Sequence, residues 1–146
     1  MAATMTLLHH RVHVRALSII AAAGFGVLAA FQFAIALGAP FGRASWGGSH
    51  PAELPIEFRI ASGVAVGVYV FAALIILARG GVAIAPLSGG VVRRGAWIIV
   101  GLTAVGSLMN FASPSDWERF LWGPFALVLT VLCFLVARGG PERSSD

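Results

Sequence analysis

The chain has 146 residues, is 58% hydrophobic and only 11% charged, which is too apolar for a soluble domain that must cover its core with polar surface. Its formal charge of +4 comes from ten arginines and no lysine, set singly beside apolar runs, so the basic face of a nucleic-acid binder is excluded. Cys133 is the only cysteine, which rules out disulfide frameworks, thiolate metal clusters and dithiol relays within one chain.

The first apolar run, 16–38, follows His9, His10, Arg11, His13 and Arg15 and could be mistaken for a secretory signal. A cleaved signal has ~7–15 apolar residues. This run has 23 uncharged residues and reads as an uncleaved first span. Small residues recur along it at Ala22, Gly26, Ala30, Ala34 and Gly38, a stripe that invites close helix packing, and Gln32 is its one amide. The loop 39–54 is long and holds Pro40, Gly42, Gly47, Gly48 and Pro51 with the interfacial aromatics Phe41 and Trp46, so a structured cap on the membrane surface is expected. His50 and Glu53 supply two metal-type ligands where zinc needs three or four.

The second span is expected at 55–78, opening with Pro55, Glu57 and Arg59 and carrying Gly63 and Gly67 in a GxxxG pattern. A glycine-rich loop, 79–94, brings Arg93 and Arg94 to anionic lipid headgroups. The third span, 95–112, contains Gly95, Thr103, Gly106, Ser107 and Asn110. After it, 114–119 forms a minimal turn with Ser113 as N-cap and Asp116 at the third position, leading into a bulkier fourth span, 114–137. Two packings follow from residue size. Either the first three helices form the tight centre and the fourth faces lipid, or a small-residue stripe is kept for a second copy of the chain.

Placing the amino terminus in the cytoplasm puts Arg11, Arg15, Arg79, Arg93, Arg94, Arg138 and Arg143 inside and leaves Arg43, Arg59 and Arg119 outside, a positive-inside bias. Four of the six acids, Glu53, Glu57, Asp116 and Glu118, fall outside, and Glu142 and Asp146 inside. Pro55-Ile-Glu57-Phe58 also matches Pro114-Ser-Asp116-Trp117, and 24 residues separate each proline from an arginine, Arg79 or Arg138, that precedes two glycines. This is either a duplicated helical hairpin or convergence on good caps.

Polar residues within or beside spans are the best pointers to function. Gln32, Glu57, Arg59, Asn110, Asp116, Glu118 and Arg119 all fall at the outer ends, where they could form a pocket roofed by the 39–54 loop, with Trp117 and Trp122 at its rim. The competing reading is structural: amides join helices, Asp116 and Arg119 pair, and tryptophans mark interfaces. No nucleophile elbow, phosphate loop or cofactor motif is present. The paired cysteines of vitamin K epoxide reductases, the first-span acid of small multidrug transporters and the aspartate pair of lipoprotein signal peptidases are missing too.

Gly38-Ala-Pro-Phe-Gly-Arg43 with Trp46-Gly-Gly48, and Glu118-Arg119 before Trp122 and Pro124, resemble the outer segments of small four-span membrane proteins of high-GC, actinobacterial-type bacteria. The resemblance implies a bacterial plasma membrane and no particular activity. The expected molecule is an all-α membrane protein with four transmembrane helices in an antiparallel bundle and both termini cytoplasmic. It is expected to be a non-enzymatic accessory or structural subunit that binds lipid or a partner, without cofactor, metal or nucleic acid. Its expected partners are the bilayer, a second copy or another membrane protein. The alternatives are a small-solute carrier or channel and, less favoured, a lipid-modifying enzyme.

Overall fold

The computed structural model describes residues 2–82 and 87–140, with side chains described from Val12 onward. It contains α1 (Ala2–Ala36), α2 (Ile56–Arg79), α3 (Gly89–Ala112) and α4 (Gly123–Gly139), and no strand among the described residues. The segments Val12–Ala36, Ile56–Arg79, Gly89–Ala112 and Glu118–Gly139 are each long and apolar enough to cross a bilayer. The chain is therefore an all-α, multi-pass membrane protein. The 39–54 loop and the α3–α4 turn mark one end of the bundle, the loop end; the start of α1 marks the other, the termini end. Glu142, Arg143 and Asp146 lie outside the described residues, as do the side chains of His9, His10 and Arg11.

Helix ends follow from local chemistry. At the close of α1, Gly38 takes φ +96°, its N–H reaches Ile35 O at 2.9 Å, and the Ala39 N–H reaches Ala34 O at 2.9 Å. The same nested pair closes α2, with Gly81 at φ +84° donating to Ala78 O and Val82 to Leu77 O. Both are Schellman caps, for which a glycine in the left-handed region is the preferred residue. Two helices begin earlier than the sequence implied. Ser88 caps α3 by accepting the Val91 N–H at 3.4 Å, which draws 89–94 into the helix, and α1 runs back to Ala2. Arginine marks a membrane edge but is a good helix former, so charge is a poor guide to where helices start.

The start of the fourth segment differs from expectation by two residues. Ser115, not Ser113, is the cap: its Oγ accepts the Glu118 N–H at 3.3 Å, while Ser113 Oγ accepts the Ser115 N–H at 3.1 Å. Residues Glu118–Trp122 then form a π-helical turn in which the Gly123 N–H reaches Glu118 O. Pro124 explains it. A proline has no N–H for the carbonyl four residues back, and its ring crowds that carbonyl, so the preceding turn widens.

The chain packs as two hairpins, α1 on α2 and α3 on α4, which meet along α1 and α4; α2 and α3 touch less. The shared core lies toward the termini end, where Val14, Phe25, Ile75, Ile76, Cys133 and Val136 are almost fully buried. In the loop-end halves of α2 and α3 only Ser62 and Ser107 are buried. Of the two packings, the one that turns the fourth helix to lipid does not hold: 33% of its 18-residue apolar stretch is buried, against 22%, 22% and 17% for the others.

Much of the small-residue stripe lies away from close contacts, Gly38 against Arg59 excepted. Gly26 and Gly67 would each accept a Cβ with nothing within 4 Å, Ala30 is exposed, Ala34 is half-buried, and Gly63 meets only Ala36, at 4.0 Å. A stripe spaced by four residues winds about 40° per step around a helix of 3.6 residues per turn, so it leaves any one contact face. Close approach occurs instead at Gly24 against Leu129, Gly95 against Ile75 and Gly123 against Phe111, where an added Cβ would stand 3.0–3.1 Å from the facing side chain.

The matched arginines have different places. Arg79 is buried and donates from Nε at 3.1 Å and Nη2 at 2.8 Å to Ala137 O, supplying one of the unpaired carbonyls at the end of α4. Arg138 is exposed. The paired prolines also differ in register, since helical backbone starts one residue after Pro55 and two after Pro114. The two halves share a hairpin plan but not equivalent caps.

Candidate functional site

Because α2 and α3 pack together only toward the termini end, they leave a cavity of about 570 Å³ in the loop half of the bundle. Phe25, Ala72, Ile99 and Leu129, which belong to the buried core, form its floor. Phe25 lies 11 residues before the end of α1, so the floor is about 16 Å deep at ~1.5 Å per residue, near the middle of a ~30 Å hydrocarbon layer. Val68 of α2 and Leu102 and Met109 of α3 line the cavity yet are 50%, 59% and 69% exposed, so the opening faces sideways between these two membrane-spanning helices.

The roof is the stretch 43–47 of the long loop, held by hydrogen bonds to α2, to the α3–α4 turn and to the start of the fourth segment. Trp46 Nε1 donates to Ser62 Oγ on α2 at 3.1 Å, and Trp122 Nε1 to Ala44 O at 3.0 Å. Ser115 Oγ donates to Arg43 O at 2.7 Å, and Glu118 accepts the Gly47 N–H. Gly47 and Gly48 are both at positive φ, and a Cβ on Gly48 would meet Ser115 at 2.8 Å, so the double glycine lets the loop lie flat on the α3–α4 turn. With their indole nitrogens occupied, Trp46 and Trp122 present aromatic faces rather than donors.

Of the seven residues singled out from sequence, Gln32, Asn110 and Glu118 line this cavity. Gln32 Oε1 is buried and has no hydrogen-bond partner. Asn110 Nδ2 donates back to Gly106 O at 2.9 Å, and the Glu118 carboxylate also accepts from Ser113 Oγ. The other four stand apart. Arg59 Nε donates to Ala36 O at 3.3 Å and Arg119 Nη2 to Ser113 O at 2.8 Å, so each guanidinium serves a carbonyl at a helix end; Glu57 and Asp116 are exposed. Trp122 lines the cavity, whereas Trp117 borders a smaller one of about 370 Å³ between the loop and the start of the fourth segment, beside Phe41 and Arg43.

Sequence reasoning passes over Tyr69, Thr103, Trp46 and Ser113 as wall residues. One signal is available for the last: Ser115-Asp-Trp-Glu118 is a capping-box sequence, which moves the cap from Ser113 and frees it for another role. In the fold Glu118 turns from the box to Gly47 and Ser113. His50 Nδ1 lies 3.0 Å from Ser49 Oγ and its ring packs near Phe58, outside the cavity. No protein-family model matches the chain, and neither a curated protein nor a solved structure matches it significantly.

Proposed function

We propose that this protein is a non-enzymatic membrane subunit that takes one amphiphilic molecule from the surrounding bilayer into the cleft between α2 and α3. The observation that carries this reading is the cavity itself: about 570 Å³, apolar at its floor and sides, polar at its roof, and open sideways between two membrane-spanning helices. Pockets that hold a single small molecule measure ~300–1,000 Å³ and pair an apolar lining with a few placed polar groups. A lateral opening suits a ligand that arrives dissolved in lipid.

Carriage of a water-soluble solute has less support, because the path toward the termini end meets the packed side chains of Ile75, Ile76, Cys133 and Val136. Lipid-modifying chemistry has less again: the hydroxyls of Ser45 and Thr103 donate to backbone carbonyls, and the one carboxylate beside a wall hydroxyl, Glu118 next to Ser113, is also engaged by the Gly47 N–H of the roof. The arginine distribution supports an orientation with the termini cytoplasmic and the roofed cavity toward the outer leaflet.

Native mass spectrometry of the protein gently extracted from membranes tests the reading. The expected spectrum shows a one-to-one adduct with the mass of a bilayer amphiphile. A bare chain under conditions that preserve lipid adducts on other membrane proteins contradicts it.

A further inference from the structure

The geometry points to an uncharged, hydroxyl-bearing headgroup on the cavity's ligand, such as a monoacylglycerol or a long-chain alcohol, and not to a phosphate-bearing lipid; this rests on the reading that the cavity holds an amphiphile. The polar groups at the wall other than Glu118 are uncharged, and several have spent their protons within the protein. Thr103 Oγ1 spends its proton on Ile99 O at 2.9 Å, Ser45 Oγ on Phe41 O at 2.9 Å, and Ser113 Oγ on Glu118. Trp46 and Trp122 donate to Ser62 and Ala44. What remains at the wall is uncharged and can both donate and accept: the Tyr69 hydroxyl and the amides of Asn110 and Gln32, the last with its Oε1 buried and without a partner. A buried acceptor left unpaired is costly, and a donor on the ligand removes that cost.

Charge argues the same way. No arginine or histidine is among the lining residues, and Glu118 is the one acid there. The two nearby guanidiniums, Arg59 and Arg119, are directed to Ala36 O and Ser113 O. A phosphate would enter a weakly hydrated site with a carboxylate and no cation to meet it. An ammonium is disfavoured for a different reason: both Glu118 oxygens are already engaged with Gly47, and one with Ser113 as well, so the carboxylate is turned to the roof. A hydroxyl can both donate and accept, which the Gln32 amide and the Tyr69 hydroxyl can each meet.

The test titrates three probes that share one oleyl-type chain, a monoacylglycerol, the matching lysophosphatidic acid and the long-chain amine, onto the full-length protein in detergent, read by native mass spectrometry. The monoacylglycerol is expected to bind about tenfold tighter than either charged probe, and Gln32→Leu is expected to reduce that preference. Equal or tighter binding of the phosphate or the amine overturns the headgroup assignment while leaving the amphiphile reading standing. Retention of none of the three removes both. Gln32→Leu deletes an unpaired buried polar atom, so its thermal stability should not fall; a folded Gln32→Leu that keeps the full preference also overturns the assignment, and the wild-type comparison decides if the variant does not fold.

Discussion

The two carboxylate oxygens of Glu118 lie 3.1 and 3.2 Å from the Gly47 nitrogen, joining residues 71 positions apart and fixing the roof to the first turn of the fourth segment. Ser113 adds a second donor to the same carboxylate. Hydrogen bonds to charged groups contribute ~1.5–3 kcal/mol each. Glu118→Leu should therefore speed hydrogen exchange across the 39–54 loop by one to two orders of magnitude, a range set by ~1.4 kcal/mol per tenfold, with little change in the rest of α2 and α3. Glu118→Gln, which keeps an acceptor, should have a smaller effect. Unchanged exchange in Glu118→Leu would mean that the loop is held by Trp46, Trp122 and Ser115 alone.

Arg79 and Arg138 occupy matching places in the sequence, but only Arg79 reaches across to another helix, at Ala137 O. Arg79→Met should lower unfolding stability in detergent by about 1.5–3 kcal/mol, whereas Arg138→Met should stay within about 0.5 kcal/mol of wild type. Equal losses at the two positions would indicate equivalent caps and revive the duplicated-hairpin reading.

Glycines sort by what a methyl group would meet. A Cβ at Gly80 would overlap Ser18, and one at Gly123 would press on the Phe111 ring at 3.0 Å, so Gly80→Ala and Gly123→Ala should each cost about 1–3 kcal/mol. Gly26→Ala and Gly67→Ala meet open space and should raise stability by about 0.5–1 kcal/mol through helix propensity. Thermal unfolding of the four variants checks the order. A loss at Gly26 or Gly67 together with a change of oligomeric mass would show that the free stripe serves a second copy of the chain.

Pro124 sets the wide turn that brings both Glu118 and Trp122 to the cavity. Pro124→Ala supplies an N–H for the Phe120 carbonyl and removes the ring, which should favour ordinary α-helical geometry through 118–122. The Trp122 to Ala44 hydrogen bond should weaken, visible as a red shift of tryptophan fluorescence and faster exchange in the roof. Fluorescence and exchange identical to wild type would place the cause of the π turn elsewhere, in the Glu118 and Ser113 contacts.

Helix number and class are legible because four apolar runs separated by charge and glycine leave a chain in lipid few other solutions. Helix ends are less so. The Gly38 and Gly81 caps are local and readable, but the early starts of α1 and α3 run through arginines that look like boundaries in the sequence. Among candidate site residues, Gln32, Asn110 and Glu118 share one cavity, while Arg59 and Arg119 go to backbone carbonyls and Glu57 and Asp116 to the surface. Composition places all seven at one end of the bundle. Helix rotation decides which way each points, and that is set by close contacts such as Gly95 with Ile75, between residues far apart in the chain.

Gly106 offers the sharpest probe of amphiphile binding, because it lines the cavity and a Cβ there meets nothing within 4 Å. Gly101, on the same helix, has equally open surroundings but is not among the lining residues. The measurement is native mass spectrometry of Gly106→Leu and Gly101→Leu, extracted side by side with the wild type. Gly106→Leu is expected to fold normally and lose the bound amphiphile, while Gly101→Leu keeps it. An adduct retained equally by both variants would refute binding in the cavity and place the ligand on the outer surface of the helices.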